Sequence, residues 1–584
     1  MKFVSGSLLW LLLLTIGVSL AISLCCQVIS HNPVLQIGLP AGVLALAQIG
    51  DWLAWRYDVL RVGTTGSLLV VALFLCVIWR CLIRRSPTAP RKVSLRPIVS
   101  SVLSVLTWCL YQRDLSSSIL RTHSYFPCHD IAWFAGVSDS LIRNIPKFGG
   151  ASFTSVLATR DAFGSYSYLA LIASGVRLPT WIVTQFAMLS ILIILSVVVS
   201  KFFEVFFGSQ GRVFQVIATV AIVASPLSLY QMSQYFLSQQ IATLFLISTT
   251  LVCFTLARSS PTSVSVSKSA ILMLLYVSGL LLTYPPMVVL ALAIWISVFG
   301  LFHLASRKSL PNAGVHHCTS ILWLFVPLAG VIVIPGRIGP AMARSKFLAS
   351  WTGGETLGPL TLGRSLGIGH WDLLDQKMVR FSDHVIDIAI VTISIVILIG
   401  FLRIARSQIA IPLAVGGGVL VTVLLYVLLQ SPGAYRSWKL VGSTTPIITI
   451  CFIVSLFELL ARNGRFRSLF VILLSIPLVA TLSTSSVGQH RQAMILTSDL
   501  EKLEEQTARL NDSTVFIDLV SPWEITWASL LVGQHRNVIE RLHVFEGSDS
   551  VIVNSVATGF RKLVNCSHLP GEIKLNASYC LTTQ

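Results

Sequence analysis

The sequence predicts a polytopic α-helical membrane protein with a small α/β domain at its C-terminal end. Three observations carry this. Of 584 residues, 54% are hydrophobic and only 11% are charged, where a soluble chain carries roughly a quarter charged residues. Apolar runs of about 20 residues, the length that crosses a bilayer as a helix, recur along the first five-sixths of the chain. The final hundred residues, 485–584, lose that character and read as a soluble unit. A transmembrane β-barrel is excluded, because its strands alternate in polarity and give no long apolar runs.

Candidate spans fall near 7–28, 34–54, 66–83, 96–112, 180–203, 214–231, 237–257, 268–283, 286–305, 319–335, 385–402, 409–430, 439–461 and 467–484. That makes about 13–14 spans in a membrane domain of residues 1–484. The first follows Lys2 and is too long for a signal peptide, with no A-x-A-like site after it, so it reads as an uncleaved span. The second contains Pro33, Pro40 and several glycines, which suggest a broken or re-entrant segment.

The net charge of +18 would suggest nucleic acid in a soluble protein. Here Lys and Arg collect in short loops between spans, where they set orientation and meet anionic lipid, so no nucleic-acid partner is expected. Arg84, Arg85, Arg91, Lys92 and Arg96 form the strongest basic cluster and mark a cytoplasmic loop. Alternation from there places the later short basic loops inside as well. It puts three long segments, 113–179, 336–384 and 485–584, on the outer face. The N-terminus is outside if all three early segments cross, and inside if one of them does not. The expected location is the plasma membrane, multi-pass, with its chemistry and its C-terminal domain extracytoplasmic.

In the tail, 495–510 reads as a helix, 514–520 and 550–556 as strands, and 523–531 as a helix between them. Cys566 and Cys580 lie close together there and could pair if the segment is outside the cell. Most of the other cysteines sit in apolar runs as small hydrophobic filler. Asn511, Asn565 and Asn576 head N-x-Ser patterns that match glycosylation acceptors. No Cys/His zinc spacing, dinucleotide fingerprint, P-loop, nucleophile elbow or HExxH occurs in context, so nucleotide-driven and zinc-protease chemistry is disfavoured.

Candidate chemistry gathers in the outer segments. His129-Asp130 heads a weakly amphipathic run to Ile145. A carboxylate at a helix start stays ionised through backbone N–H groups and the helix dipole. It can then take a proton from a hydroxyl within hydrogen-bond reach. An ordinary N-cap aspartate explains the local sequence equally well. His129 beside it is a candidate partner or a surface histidine. In 336–384, Arg337, Trp351, Glu355 and His370 suit a sugar and a phosphate together, since aromatic faces stack on sugars and cations bind phosphate. Arg436 and Lys439 are cations on the outer face, against the usual bias, and are candidates for a lipid phosphate. Tyr235 and Tyr284 near outer span ends are candidate sugar contacts; helix glue and helix termination are the plainer readings.

His129-Asp130-Ile-Ala-Trp-Phe-Ala-Gly-Val-Ser-Asp-Ser-Leu141, Tyr284-Pro285, and Tyr435 with Lys439 and Pro446 together resemble the multi-spanning GT-C class of glycosyltransferases, with uncharacterised actinobacterial members the nearest likeness. The resemblance implies a polyprenyl-phosphate-linked sugar donor and a glycan, lipid or protein acceptor of the cell envelope at the outer face of the bilayer. Asp130 would deprotonate the acceptor hydroxyl, which attacks the anomeric carbon. Arg337, Arg436 or Lys439 would stabilise the departing lipid phosphate. Tyr435 joins the sugar-binding candidates on the same likeness. The chain departs from the strict Asp-x-Asp or Glu-Asp pattern, so no cofactor or metal ligand is assigned, and a divalent cation stays open. The competing expectations are a transporter or flippase for lipid-linked saccharides and a non-catalytic envelope-assembly protein. A transporter needs polar or charged residues inside its spans, which look scarce here.

Overall fold

A computed structural model of the chain describes most of residues 8–75, 94–111, 129–143, 163–258 and 263–307. It also describes short stretches within 323–342 and 440–454, residue 388, and parts of the tail between 498 and 583. These residues form a helical bundle and, near the C-terminus, a small sheet. Eleven helices of the bundle are described: α1 (Leu8–Ile29), α2 (Pro33–Arg56), α3 (Arg96–Tyr111), α4 (His129–Arg143), α5 (Phe163–Val176), α6 (Thr184–Phe207), α7 (Arg212–Val223), α8 (Pro226–Ser233), α9 (Leu237–Arg258), α10 (Ser263–Thr283) and α11 (Met287–Arg307). Among the described residues, four stretches are long and apolar enough to cross a bilayer: Pro33–Arg56, Phe186–Phe207, Leu237–Leu256 and Ser265–Thr283.

The second segment, expected to be broken or re-entrant, is instead one continuous 24-residue helix. Asn32 caps it, its side chain accepting from Val34 N at 2.9 Å, and Pro33 occupies the first turn, where its missing N–H costs nothing. Pro40 lies inside the helix, a position tolerated in bundles because neighbouring helices meet the freed backbone groups. Two residues before that proline, the Tyr276 hydroxyl donates to Gly38 O at 2.6 Å and ties α2 to α10. Gly38 and Gly42 form a small-xxx-small pair that lets α2 and α10 pack closely. A Cβ on Gly38 would stand 2.5 Å from Leu272 Cδ1 and 2.7 Å from Tyr276 Oη. The glycines that suggested a break are therefore the contact surface.

Polar contacts set the direction of the bundle. Asn32 at the start of α2 reaches Ser265 at the start of α10, and Gln48 near the end of α2 reaches Thr283 at the end of α10, so the two helices run parallel. At the opposite end from Gln48, Arg96 fixes the start of α3 to the α6–α7 turn. Its guanidinium donates to Gly208 O at 2.5 Å and Gln215 Oε1 at 2.7 Å. Gly208 and Gly211 both take positive φ there, the conformation glycine adopts without steric cost. One arginine of the basic cluster thus also serves as a structural tie. The expected span 214–231 is divided, α7 ending at Val223 and α8 opening on Pro226, since a proline cannot continue the α7 ladder.

The expected long outer segment 113–179 holds more than a polar loop. Its last part is α5, an apolar helix of 14 residues packed within the bundle against α2, α4 and α10. At about 21 Å it is shorter than the hydrocarbon core and does not span it alone.

The tail contains two short helices, α12 (Ser498–Glu501) and α13 (Leu503–Ala508), then β1 (Thr514–Ile517), α14 (Pro522–Gly533), β2 (Asn537–Glu540), β3 (Arg561–Asn565), β4 (Ile573–Lys574) and β5 (Tyr579–Thr583). The strand order is β2-β1-β3-β5-β4. β1 pairs in parallel with β2 and β3, and β5 pairs antiparallel with β3 and β4. The helix expected over 495–510 is thus divided in two. The strand that follows α14 is 537–540, while 550–556 lies outside the described residues. Cys566 and Cys580 are joined by a disulfide. Asn576, the third N-x-Ser asparagine, has a structural task. Its amide donates to Asp499 O and Gln506 Oε1, both at 2.9 Å, and its carbonyl accepts from the backbone N–H groups of Ser578 and Tyr579.

Candidate functional site

A cluster of buried polar groups lies at the Asp51 end of α2. Gln48 Nε2 donates to Gly164 O at 2.9 Å, and Thr283 Oγ1 lies 3.4 Å from Gln48 Oε1. Asp51 is fully buried. Its Oδ1 accepts from Gly66 N at 2.9 Å and its Oδ2 from Ser167 Oγ at 2.7 Å. One carboxylate therefore joins three pieces of chain: the end of α2, the turn that follows it, and α5. That turn depends on Gly63, whose φ is +84° and whose Cβ, if present, would lie 2.7 Å from Ala170 O.

A second polar group continues this end of the bundle. Ser165 Oγ meets Ser238 Oγ at 2.9 Å. Gln239 Nε2 donates to Ser443 Oγ at 3.2 Å, and Gln240 Nε2 donates to Gln231 Oε1 at 2.8 Å. The Gln231 amide occupies the space where a side chain at residue 442 would sit, so only glycine fits there without a shift. These glutamines are buried, and buried amides in an apolar bundle are retained where they pair or serve a ligand.

Beside Asp51 lies an aromatic group. Trp52 meets Phe163 edge-on at 5.0 Å and Trp55 at 5.2 Å, and Trp55 stands 5.4 Å from Phe163. Arg337 is fully buried, and its guanidinium lies 5.5 Å from the centre of the Trp52 ring. Arginine binds an aromatic face this way because its cation is attracted by the ring quadrupole and is weakly hydrated.

Two of the residues singled out from sequence thus have described side chains. Arg337 lies against the end of α2. Tyr284 is buried at the Tyr-Pro-Pro turn between α10 and α11, one residue from Thr283 and so beside the Gln48 contact. For His129 and Asp130 the backbone is described: they are the first two residues of α4. Tyr235, Trp351, Glu355, His370, Tyr435, Arg436 and Lys439 lie outside the described residues.

The helix α4 belongs to the same end of the bundle. Ser138 Oγ donates to Tyr166 O at 3.0 Å, Phe134 packs on Tyr166 at 5.2 Å, and Thr180 Oγ1 donates to Ala135 O at 2.8 Å. Tyr166 precedes Ser167, the donor to Asp51, so α4 is one helix removed from the carboxylate. On another side α4 packs against α14 of the tail. The sequence of α14, Pro-Trp-Glu-Ile-Thr-Trp-Ala-Ser-Leu-Leu-Val-Gly, is apolar around most of its circumference. Such a helix must be covered on more than one face. The sheet covers one side of it and α4 another, and Trp527, Ala528 and Leu531 are buried.

Sequence reasoning overlooked Gln48, Asp51 and Trp52, and it took acidic residues to be nearly absent from spans. Asp51 and Glu204 both lie within helices of the bundle, Glu204 paired with buried Lys201 at 3.0 Å. The available signal was an Asp and a Gln within an otherwise apolar run, which marks a functional or pairing position. For a metal, Cys566, Glu572 and Cys580 are the group that comes together among the described residues. Both cysteines are spent in the disulfide, so this group lacks the thiolates that bind metal. A scan against protein-family models returns no match, and a search of curated proteins returns none.

Proposed function

We propose that this chain is a membrane glycosyltransferase of the GT-C type. It moves a sugar from a polyprenyl-phosphate donor to a cell-envelope acceptor at the outer face, with Asp130 as general base. The observation that carries the reading is the burial of Arg337 at the bundle end to which α4, the helix headed by His129-Asp130, also belongs. A buried guanidinium suits a phosphate leaving group, whose charge grows as the glycosidic bond breaks. A phosphate leaves without being protonated, so one carboxylate base suffices, unlike the two of glycoside hydrolysis. The disulfide of the tail agrees with an extracytoplasmic position, because disulfides persist in oxidising compartments. Tyr284 would line the sugar side. Arg436, Lys439, Tyr235, Trp351, Glu355, His370 and Tyr435 remain assigned by sequence alone.

The test is sugar transfer in proteoliposomes from a panel of radiolabelled polyprenyl-phosphate sugars. Asp130→Asn should abolish transfer while leaving expression and membrane insertion intact. Full activity in that variant removes Asp130 from the reaction. The buried Gln and Ser groups around Gln231, Gln239 and Ser443 favour a second reading, a carrier of lipid-linked saccharides, because such groups line substrate paths. Movement of an intact lipid-linked saccharide across the bilayer, with no bond broken, distinguishes it.

A further inference from the structure

We propose that Trp52 and Arg337 form a buried subsite for a phosphate group, in which the Trp52 indole N–H donates to a phosphate oxygen alongside the Arg337 guanidinium. This rests on the assignment of Arg337 above and adds to it a residue and a geometry. Trp52 is only 3% exposed, and its Nε1 makes no hydrogen bond. An indole N–H can only donate, and a buried donor without an acceptor is destabilising unless a ligand supplies one. The acceptor it awaits is marked by the group next to it, since Arg337 brings a positive charge and forked donors against the same ring.

The surroundings fit an anion rather than a neutral hydroxyl. Trp52 and Arg337 are both buried and Phe163 and Trp55 pack against Trp52, so charge there is weakly screened. Asp51, the next residue, has one oxygen accepting from Gly66 N and the other from Ser167 Oγ, which fix its carboxylate toward the turn and α5. The ligand class is a phosphate ester, from a polyprenyl phosphate or from a phospholipid headgroup.

The experiment uses the full chain in nanodiscs of zwitterionic lipid, titrated with farnesyl phosphate and, as the uncharged control, farnesol. Wild type should bind farnesyl phosphate and ignore farnesol. Trp52→Phe keeps an aromatic ring beneath the guanidinium and removes the N–H together with the pyrrole part of the indole, which is why its unfolding temperature is compared as well. It should weaken binding about tenfold, as expected for one hydrogen bond to a charged group. Arg337→Lys, which keeps the charge and loses the planar fork, should also weaken it. Equal binding by wild type and Trp52→Phe, with both unfolding at the same temperature, overturns the proposal; so does equal binding of farnesol. Competition by phosphatidylglycerol added to the disc would assign the subsite to a headgroup, and its failure to compete assigns it to the prenyl phosphate. Binding that follows this pattern in a protein that transfers no sugar keeps the subsite and removes the transferase reading. Sugar transfer alongside unchanged Trp52→Phe binding does the reverse.

Discussion

Replacing Asp51 tests how the candidate site is held together. Its oxygens accept from buried donors that include Gly66 N and Ser167 Oγ. In Asp51→Ala both donors lose their acceptor in a place with no bulk water. At roughly 1–3 kcal/mol for each stranded group, the variant should lose about 2–6 kcal/mol. Asp51→Asn behaves differently. Its Oδ1 still accepts from Gly66 N, and its Nδ2 donates to Ser167, whose hydroxyl turns to accept. The expected loss is only about 1 kcal/mol, one hydrogen bond's worth. The assay is unfolding in mixed detergent micelles with increasing dodecyl sulfate, followed by tryptophan fluorescence. Two outcomes refute the reasoning. One is Asp51→Ala as stable as wild type; the other is Asp51→Asn as unstable as Asp51→Ala, which would mean that charge rather than acceptor geometry holds the joint.

Three further outcomes follow from particular contacts. Gly38→Ala drives a methyl group into Leu272 and Tyr276 and should cost about 1–3 kcal/mol, with part of the loss recovered by adding Leu272→Ala; the same dodecyl sulfate titration reads both. Reduction of the Cys566–Cys580 bond, or Cys580→Ser, removes a closed loop with a sequence separation of 14 and should lower the stability of the tail by about 3 kcal/mol, read as faster proteolysis within 498–583. Asn576→Gln should destabilise the tail by breaking the contacts that tie the β4–β5 turn to Asp499 and Gln506; a variant with wild-type protease resistance would show that those contacts contribute nothing.

Part of this molecule is legible in the chain. Apolar length predicts α1, α2, α3, α9 and α11 within a few residues, because a sustained apolar run must be buried and a helix satisfies its own backbone along the whole of it. The helix beginning at His129-Asp130 was legible too, from its amphipathic run. Other features misled. Gly38, Pro40 and Gly42 look like a break, and only the presence of α10 shows them to be a contact surface. The helix α5 is too short for a span and too apolar for a loop, so its place inside the bundle depends on what surrounds it. Asp51 was passed over because a single carboxylate gives no periodic signal.

The sequence by itself determined the membrane class, the split between apolar bundle and soluble tail, and the candidate status of Asp130, Arg337 and Tyr284. These depend on composition and local pattern, which the chain carries at every position. Tertiary structure alone decided that Asp51 joins Gly66 to Ser167, that Arg337 lies over Trp52, and that α14 of the tail packs on α4. Each of these contacts joins residues far apart in the chain. A buried charge or an unpaired indole N–H has meaning only through the neighbours that folding brings to it.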